Sequence, residues 1–289
     1  MERTYRKANI LYLPALLLFA VFVVYPFLDG VRIAFTNWNG YSRAYAYVGF
    51  RNLSRLLVDG TVRTAVVNTL LYGFGSTLLQ QILGLGCAVL LDKRFPGRTA
   101  ARTVIYLPVF VSAVIMGYMW VHLFRLDGGL NDLVRLLGGH RVLWLSSRAL
   151  ALGVIIAVNT LQYMGISMVI YLAGMQGIPA MYYEAAQLDG AGAWGQFRNI
   201  TLPLLYPAFV TSITINLIGG LKLFDLVWAL TAGGPGYTTH SLATLIYSSY
   251  FESQMAGFAS ANGLLLFVTI LAITILLQAG FRWREVQLS

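Results

Sequence analysis

The residues best suited to hold a solute are amides and a phenol set inside long apolar runs: Asn68, Gln80 and Gln81 in one, Asn159, Gln162 and Tyr163 in another, then Asn216 and Asn262. An amide both donates and accepts hydrogen bonds. Beside aromatic rings such groups suit a neutral polyhydroxylated solute whose hydration shell must be replaced. The same groups also serve as hydrogen-bonding glue between membrane helices. Charge inside the runs is scarce, and Lys222 and Asp225 are the one close pair, three residues apart on one helical face. They read either as an ion pair near the interface or as a solute contact. No Gly-rich nucleotide loop, His-Glu-x-x-His, Gly-x-Ser-x-Gly or Cys/His cluster is present, so no catalytic residue, metal site or bound cofactor is expected. His122, His140 and His240 are isolated, and the single Cys87 reads as a small buried side chain.

These residues must be positioned by membrane helices. The chain has 289 residues, 58% hydrophobic and 11% charged, whereas soluble domains are about 25% charged. The net charge of +9 is scattered beside apolar runs without a basic face, which excludes a nucleic-acid partner and leaves the lipid bilayer. A crossing takes roughly 20 apolar residues, and six stretches qualify: 10–28, 65–91, 103–124, 150–175, 202–224 and 258–281. The expectation is an all-α membrane protein, residues 1–289 forming a single transmembrane domain. The first run ends in Tyr25, Pro26, Phe27 and Leu28 without a small-x-small cleavage site, so it reads as an uncleaved span. Arg3, Arg6 and Lys7 at one end, Arg282 and Arg284 at the other, and Lys93, Arg94, Arg98 and Arg102 between the second and third spans put both termini in the cytoplasm. The outer loops also carry arginines, at lower density.

Glycines at Gly73, Gly75, Gly84, Gly86, Gly165, Gly219 and Gly220 suggest close helix packing, and Pro14, Pro26, Pro108 and Pro207 suggest bends or caps. In the first outer loop Leu53, Leu56 and Leu57 form a short amphipathic pattern. In the third, Gly233, Gly234, Pro235 and Gly236 break the helix arriving from Leu230 and suggest a loop that moves.

One stretch between spans departs from this pattern, the cytoplasmic loop 176–201. Pro179 can open a helix, Met181, Ala185 and Leu188 share a face, and Asp189-Gly190 ends it. A second amphipathic piece carries Trp194, Phe197 and Ile200 at three-residue spacing into Leu202-Pro203. Two short helices joined by a sharp turn make a docking knob, or an interfacial helix resting on lipid.

At Glu184-Ala185-Ala186, Asp189-Gly190-Ala191, Trp194, Phe197, Ile200 and Leu202-Pro203 the sequence resembles the permease subunits of binding-protein-dependent ABC importers. Similarity over nearly the whole chain points to the carbohydrate branch, of the type of the maltose-transporter F subunit and the glycerol-3-phosphate-transporter A subunit. It rests on YLPALLLFAVFVVYP, FTNWNGY, VGFRNLSRLL, YLPVFVSAVIMGYMW and FDLVWALTAGGPGYTT. The resemblance implies a type I importer fold of six transmembrane helices in the cytoplasmic (inner) membrane. It also implies a second homologous permease, two ATPase copies that bind the ATP and Mg, an extracytoplasmic solute-binding protein, and a small carbohydrate as solute. A coupling helix, with Tyr183, Glu184, Ala185, Ala186, Leu188, Asp189, Gly190, Ala191, Trp194 and Phe197, would dock on the ATPase. Counted from Glu184, the sugar-contact positions of the maltose type fall on Asn159, Gln162, Tyr163, Ile166, Asn216, Gly219, Gly220 and Leu223. Gly219, Gly220 and Leu223 replace an aromatic and two amides, which implies a different pocket. The competing readings are an importer for a non-carbohydrate solute and an ion-coupled carrier, the latter opposed by the scarcity of intramembrane charge.

Overall fold

A computed structural model describes residues 12–285, with side chains to residue 282. The anchoring arginines and lysine at Arg3, Arg6 and Lys7, the first residues of the first expected span, and the side chain of Arg284 lie outside the described residues. The helices are α1 (Leu13–Ile33), α2 (Arg51–Val58), α3 (Gly60–Asp92), α4 (Arg98–Phe110), α5 (Ala113–Phe124) and α6 (Gly129–Leu136). They continue as α7 (Arg148–Gln176), α8 (Ala180–Leu188), α9 (Ala193–Leu204), α10 (Tyr206–Leu221), α11 (Asp225–Thr231), α12 (Leu242–Tyr247) and α13 (Ala256–Glu285). Among the described residues there is no strand, only an isolated bridge between Thr36 and Tyr47. Single π turns interrupt α1, α3 and α9, at Ala20–Val24, Leu71–Gly75 and Phe197–Thr201, and a fourth follows α12 at Ser248–Glu252.

α1, α3, α7 and α13 are each long and apolar enough to cross a membrane. The expected third and fifth spans are not straight. α4 meets the segment beginning with α5 at 100°, and α9 meets α10 at 64°, so the spans number four, or six if each bent pair is one. The reasons are local. Pro108 sits in a 3-10 turn after which Val111 goes extended, and Pro203 and Pro207 flank Leu205, with Pro207 lacking the N–H that would continue the helical ladder.

The chain divides into two compact units. In the one made of Met1–Arg63 with Leu245–Val268, α1 leaves its large apolar side chains exposed, as a lipid-facing helix does. Within this unit Phe27 packs on Phe267 at 4.9 Å, Leu56 of α2 is buried while Leu57 is exposed, and the Arg55 guanidinium lies 4.2 Å over the Phe258 ring.

The other unit, Thr64–Thr244 with Thr269–Ser289, is organised along α7. Toward one end Leu152, Ile155 and Val158 join Tyr72, Leu226 and Leu230 in an apolar cluster; toward the other Met168, Tyr171 and Met175 join Ala88, Leu91 and Leu205. The α7 residues between them, 159–167, include the buried polar side chains of Asn159, Thr160, Gln162 and Ser167. Arg98 and Arg102, besides being positive charges beside the membrane, donate to the carbonyls of Asp92 and Leu91 at 3.2 and 2.7 Å and so cap the end of α3.

The segment just after the Gly233–Gly236 turn is tied to α3. Asn68 Nδ2 donates to the carbonyls of Thr238 and His240 at 2.8 and 2.9 Å, Tyr72 donates to the Thr239 carbonyl at 2.8 Å, and the Leu242 N–H donates to Thr69 Oγ1 at 2.8 Å. Arg148, on α7, donates at 3.1 Å to Asn68 Oδ1 and fixes the amide's orientation. Asn68→Ala is expected to raise amide hydrogen exchange across residues 237–242 roughly ten-fold, the equivalent of two lost hydrogen bonds; exchange as slow as in the parent would mean the grip contributes nothing.

Candidate functional site

Between the two apolar clusters lies a cavity of about 250 Å³. Of the eight positions matched to solute contacts, it is lined by Asn159, Tyr163 and Ile166 of α7, Asn216, Gly219 and Gly220 of α10, and Leu223. Gln162 is not among its walls. It is fully buried, and its Nε2 donates at 3.1 Å to the Val111 carbonyl, which the break between α4 and α5 leaves without a helical partner. Gln162 therefore braces a kink, and straight-helix spacing gave no hint of it.

Gly219 and Gly220 differ in role. A Cβ on Gly219 would meet nothing within 4 Å, so this residue opens room in the cavity. A Cβ on Gly220 would stand 2.9 Å from the Cα of Gly73, so here the backbones of α3 and α10 nearly touch. Gly84 and Gly165 do the same for α7: a Cβ on Gly84 would strike the Cβ of Ser167, and one on Gly165 would lie 2.8 Å from the carbonyl oxygen of Ile105 in α4.

Five wall residues were not singled out as contacts by the match to the maltose type: Gln80, Ala113, Ile215, Lys222 and Asp225. Gln80 Nε2 donates to the Asn159 carbonyl at 3.1 Å. Lys222 and Asp225 do not share a helical face, because α10 ends at Leu221 and α11 begins at Asp225. The signal for that break was in the sequence, in the weak helix formers Gly219 and Gly220 just ahead of it.

Behind Asn216 a buried hydrogen-bond network joins α3, α7 and α10. Asn216 Nδ2 donates to Ser167 Oγ at 2.6 Å, Ser212 lies 3.0 Å from Ser167 and donates to Gln81 Oε1 at 2.8 Å, and the Tyr171 hydroxyl also bonds Gln81 Oε1. This holds Asn216 Nδ2 toward the network and leaves its Oδ1 as the end available to a solute. Ser167→Ala is expected to cost about 0.6–2 kcal/mol by stranding the Asn216 donor, read as a lower thermal midpoint of the purified assembly.

The second group of predicted residues forms the α8 knob. Pro179 caps the start of α8 with an extended ψ of 135°, and the helix closes on Gly190 at φ 78°. The Gly190 and Ala191 N–H groups return to the carbonyls of Gln187 and Ala186 at 3.0 and 2.8 Å, the paired closure that a left-handed glycine permits. Glu184, Ala185, Leu188, Asp189 and Gly190 are exposed, as is Met181, so the apolar face of the helix has no cover among the described residues. Ala186 and Ala191 are half-buried. Tyr183 points back, its hydroxyl 2.9 Å from Thr201 Oγ1. Tyr183, Trp194 and Phe197 line a groove of about 440 Å³ with Asp92, Lys93 and Met175. Trp194, its ring tilted against Phe197 at 5.6 Å, is 71% exposed. Among the described residues no His, Cys, Asp and Glu cluster is arranged to hold a metal.

Comparison with known proteins adds to this geometry. The sequence profile of the family described as "Binding-protein-dependent transport system inner membrane component" matches residues 80–283. The chain is 32% identical over 278 residues to the probable starch degradation products transport system permease protein AmyD of Thermoanaerobacterium thermosulfurigenes, covering 95% of this chain and 94% of that one. It is 32% identical over 285 residues to the trehalose/maltose transport system permease protein MalF of Thermococcus litoralis, covering 97% and 96%. Among solved structures it is similar to a chain of a bacterial alginate ABC transporter in complex with an alginate pentasaccharide-bound periplasmic protein, with a TM-score of 0.82, 26% identity, and coverage of 96% of this chain and 93% of that one.

Proposed function

Because the chain belongs to the family of binding-protein-dependent transport system inner membrane components, we propose that it is one permease half of an ATP-driven importer for a sugar or sugar-like solute, residues 1–289 acting as a single transmembrane domain with both termini in the cytoplasm. The observation that carries the solute class is the cavity: Asn159, Tyr163 and Asn216 present amides and a phenol around a space of about 250 Å³, a donor and acceptor set suited to hydroxyls. The relatives named for starch products and for trehalose and maltose support it. So does the solute-loaded periplasmic protein bound to the alginate transporter, which also supports an extracytoplasmic binding protein as partner here.

The chain has no nucleotide-binding motif, so energy must reach it from outside. Two ATPase copies, holding ATP and Mg, dock on α8 through Glu184, Ala185, Leu188, Asp189 and the neighbouring Trp194, and a homologous permease completes the solute path. The route inward is short. Motion imposed on α8 passes along α9, through the bend at Leu205, into α10, which carries Asn216 and Gly219. Tyr183 bonded to Thr201 ties α8 directly to α9.

The test is ligand screening on the cognate binding protein, followed by ATPase and uptake assays on the assembled complex in proteoliposomes. A carbohydrate should stimulate hydrolysis several-fold and accumulate inside. Hydrolysis indifferent to ligand, with no carbohydrate taken up, would sink the sugar-importer reading.

A further inference from the structure

The cavity wall contains one cation and one anion that the amide set does not need. Lys222 and Asp225 flank the break between α10 and α11 and are both exposed. Ionisable groups at membrane depth usually pair with one another or mark a solute path. Ion pairs among the described residues join Arg32 to Asp29, Arg55 to Asp59, Arg125 to Asp127 and Arg141 to Asp132; Lys222 and Asp225 are in none of them. The helix break explains how they stay apart. The Lys222 N–H closes on the carbonyls of Ile218 and Gly219, putting the ammonium at a helix C-terminus, and Asp225 opens the following helix. Each charge sits at the helix end whose partial charge opposes its own.

The Gln80 side chain behind the pair is 1% exposed, and its Nε2 is held by the Asn159 carbonyl. The wall therefore offers one exposed anionic acceptor, Asp225, and one strong exposed donor, Lys222, with no net charge from the ionised pair.

Resting on the sugar-importer reading, we propose that Lys222 and Asp225 are specificity-determining residues that bind hydroxyls of a neutral sugar as two separate charges and together discriminate against sugar acids. A carboxylated sugar gains at Lys222 and loses at Asp225, and still has to shed the hydration of its own charge. A neutral polyol can donate to Asp225 and accept from Lys222 at once, with charge-assisted hydrogen bonds to both ions.

The test reads the cavity directly in the assembled complex. Gly219→Cys places a thiol where nothing lies within 4 Å, in a background where the only native cysteine, Cys87, is changed by Cys87→Ser. Maleimide labelling is then followed with maltotriose, raffinose or trigalacturonate present at equal concentration. A neutral trisaccharide should slow labelling about five-fold or more while trigalacturonate slows it less than about two-fold. Asp225→Asn should raise protection by trigalacturonate to that of the neutral sugar, Lys222→Met should remove neutral protection, and Lys222→Arg should keep it. Protection is a ratio of rates on assembled complex, so poor insertion of one variant does not blur it. Equal protection by trigalacturonate in the parent, or protection unchanged in both Asp225→Asn and Lys222→Met, overturns the assignment and leaves the importer reading standing. Carbohydrate uptake without protection by either neutral sugar does the same, whereas no carbohydrate uptake at all overturns the importer reading itself.

Discussion

Glu184→Lys is expected to cut solute uptake roughly 30-fold or more while leaving the subunit inserted, and to leave ATP hydrolysis in the complex no longer tied to transport. Glu184 is exposed on α8 and forms no ion pair among the described residues, so its replacement costs this chain little. The effect belongs to the proposed docking surface, where reversing a central charge costs about 2 kcal/mol or more. Gly190→Pro should do the same by another route. Gly190 has φ 78° and its N–H bonds the Gln187 carbonyl at 3.0 Å. Proline is fixed near −65° and has no N–H, so the turn that presents α8 must open. Uptake and ligand-stimulated hydrolysis measured side by side in proteoliposomes decide the matter: either variant, incorporated normally and transporting at the parent rate, removes α8 from the coupling path.

Gly220→Ala and Gly219→Ala, neighbours in sequence, are expected to fail differently. A methyl on Gly220 meets the Cα of Gly73 at 2.9 Å, the Ser76 hydroxyl at 3.2 Å and the Tyr72 carbonyl at 3.2 Å. Two of these are backbone atoms and cannot rotate away, so α3 and α10 must separate. Overpacking of this kind costs about 1–3 kcal/mol, and the thermal midpoint of the complex should fall by roughly 4–8 °C. Gly219→Ala adds its methyl to open cavity and should leave the midpoint unchanged while lowering uptake only mildly. If both variants melt with the parent, the helix contact at Gly73 is looser than these distances require.

The contrast between these two glycines also marks how far the amino-acid sequence could be read. A Gly-Gly pair in an apolar run signals close packing or space, but which glycine does which depends on the rotation of α10 against α3. Positions of the spans were legible because a crossing needs a long apolar run, and the α8 knob because Pro179, the Met181–Leu188 face and Asp189-Gly190 are local signals. The 100° reorientation at Val111 was not legible: Pro108 warns of a bend, but its size is set by what packs around it. Gln162 was misplaced for the same reason, since the carbonyl that captures it exists only because the helix breaks. Lys222 and Asp225 stand out as charges in the sequence, yet their separation follows from a break three residues long. Gln81 and Ser212 are unremarkable polar residues until α3, α7 and α10 bring them together.

The π turn at Leu71–Gly75 sets the phase of α3. Asn68, Tyr72, Ser76, Gln80, Gly84 and Ala88 are all buried, one residue in every four. At 3.6 residues per turn, each such step overshoots a full revolution by about 40°, or about 200° from Asn68 to Ala88. The additional residue in the π turn takes back about 100° of that drift. One helix can thus hold the Thr238 and His240 carbonyls with Asn68 and still present Gln80 to the cavity. Losing the π turn at unchanged length would swing Asn68 by about 100° off its carbonyls, whereas deleting one residue within 71–75 would restore a plain screw and keep Asn68 and Gln80 in phase. A homologue with a one-residue gap at that point should therefore run as regular α-helix there and keep the residues answering to Asn68 and Gln80 on their partners.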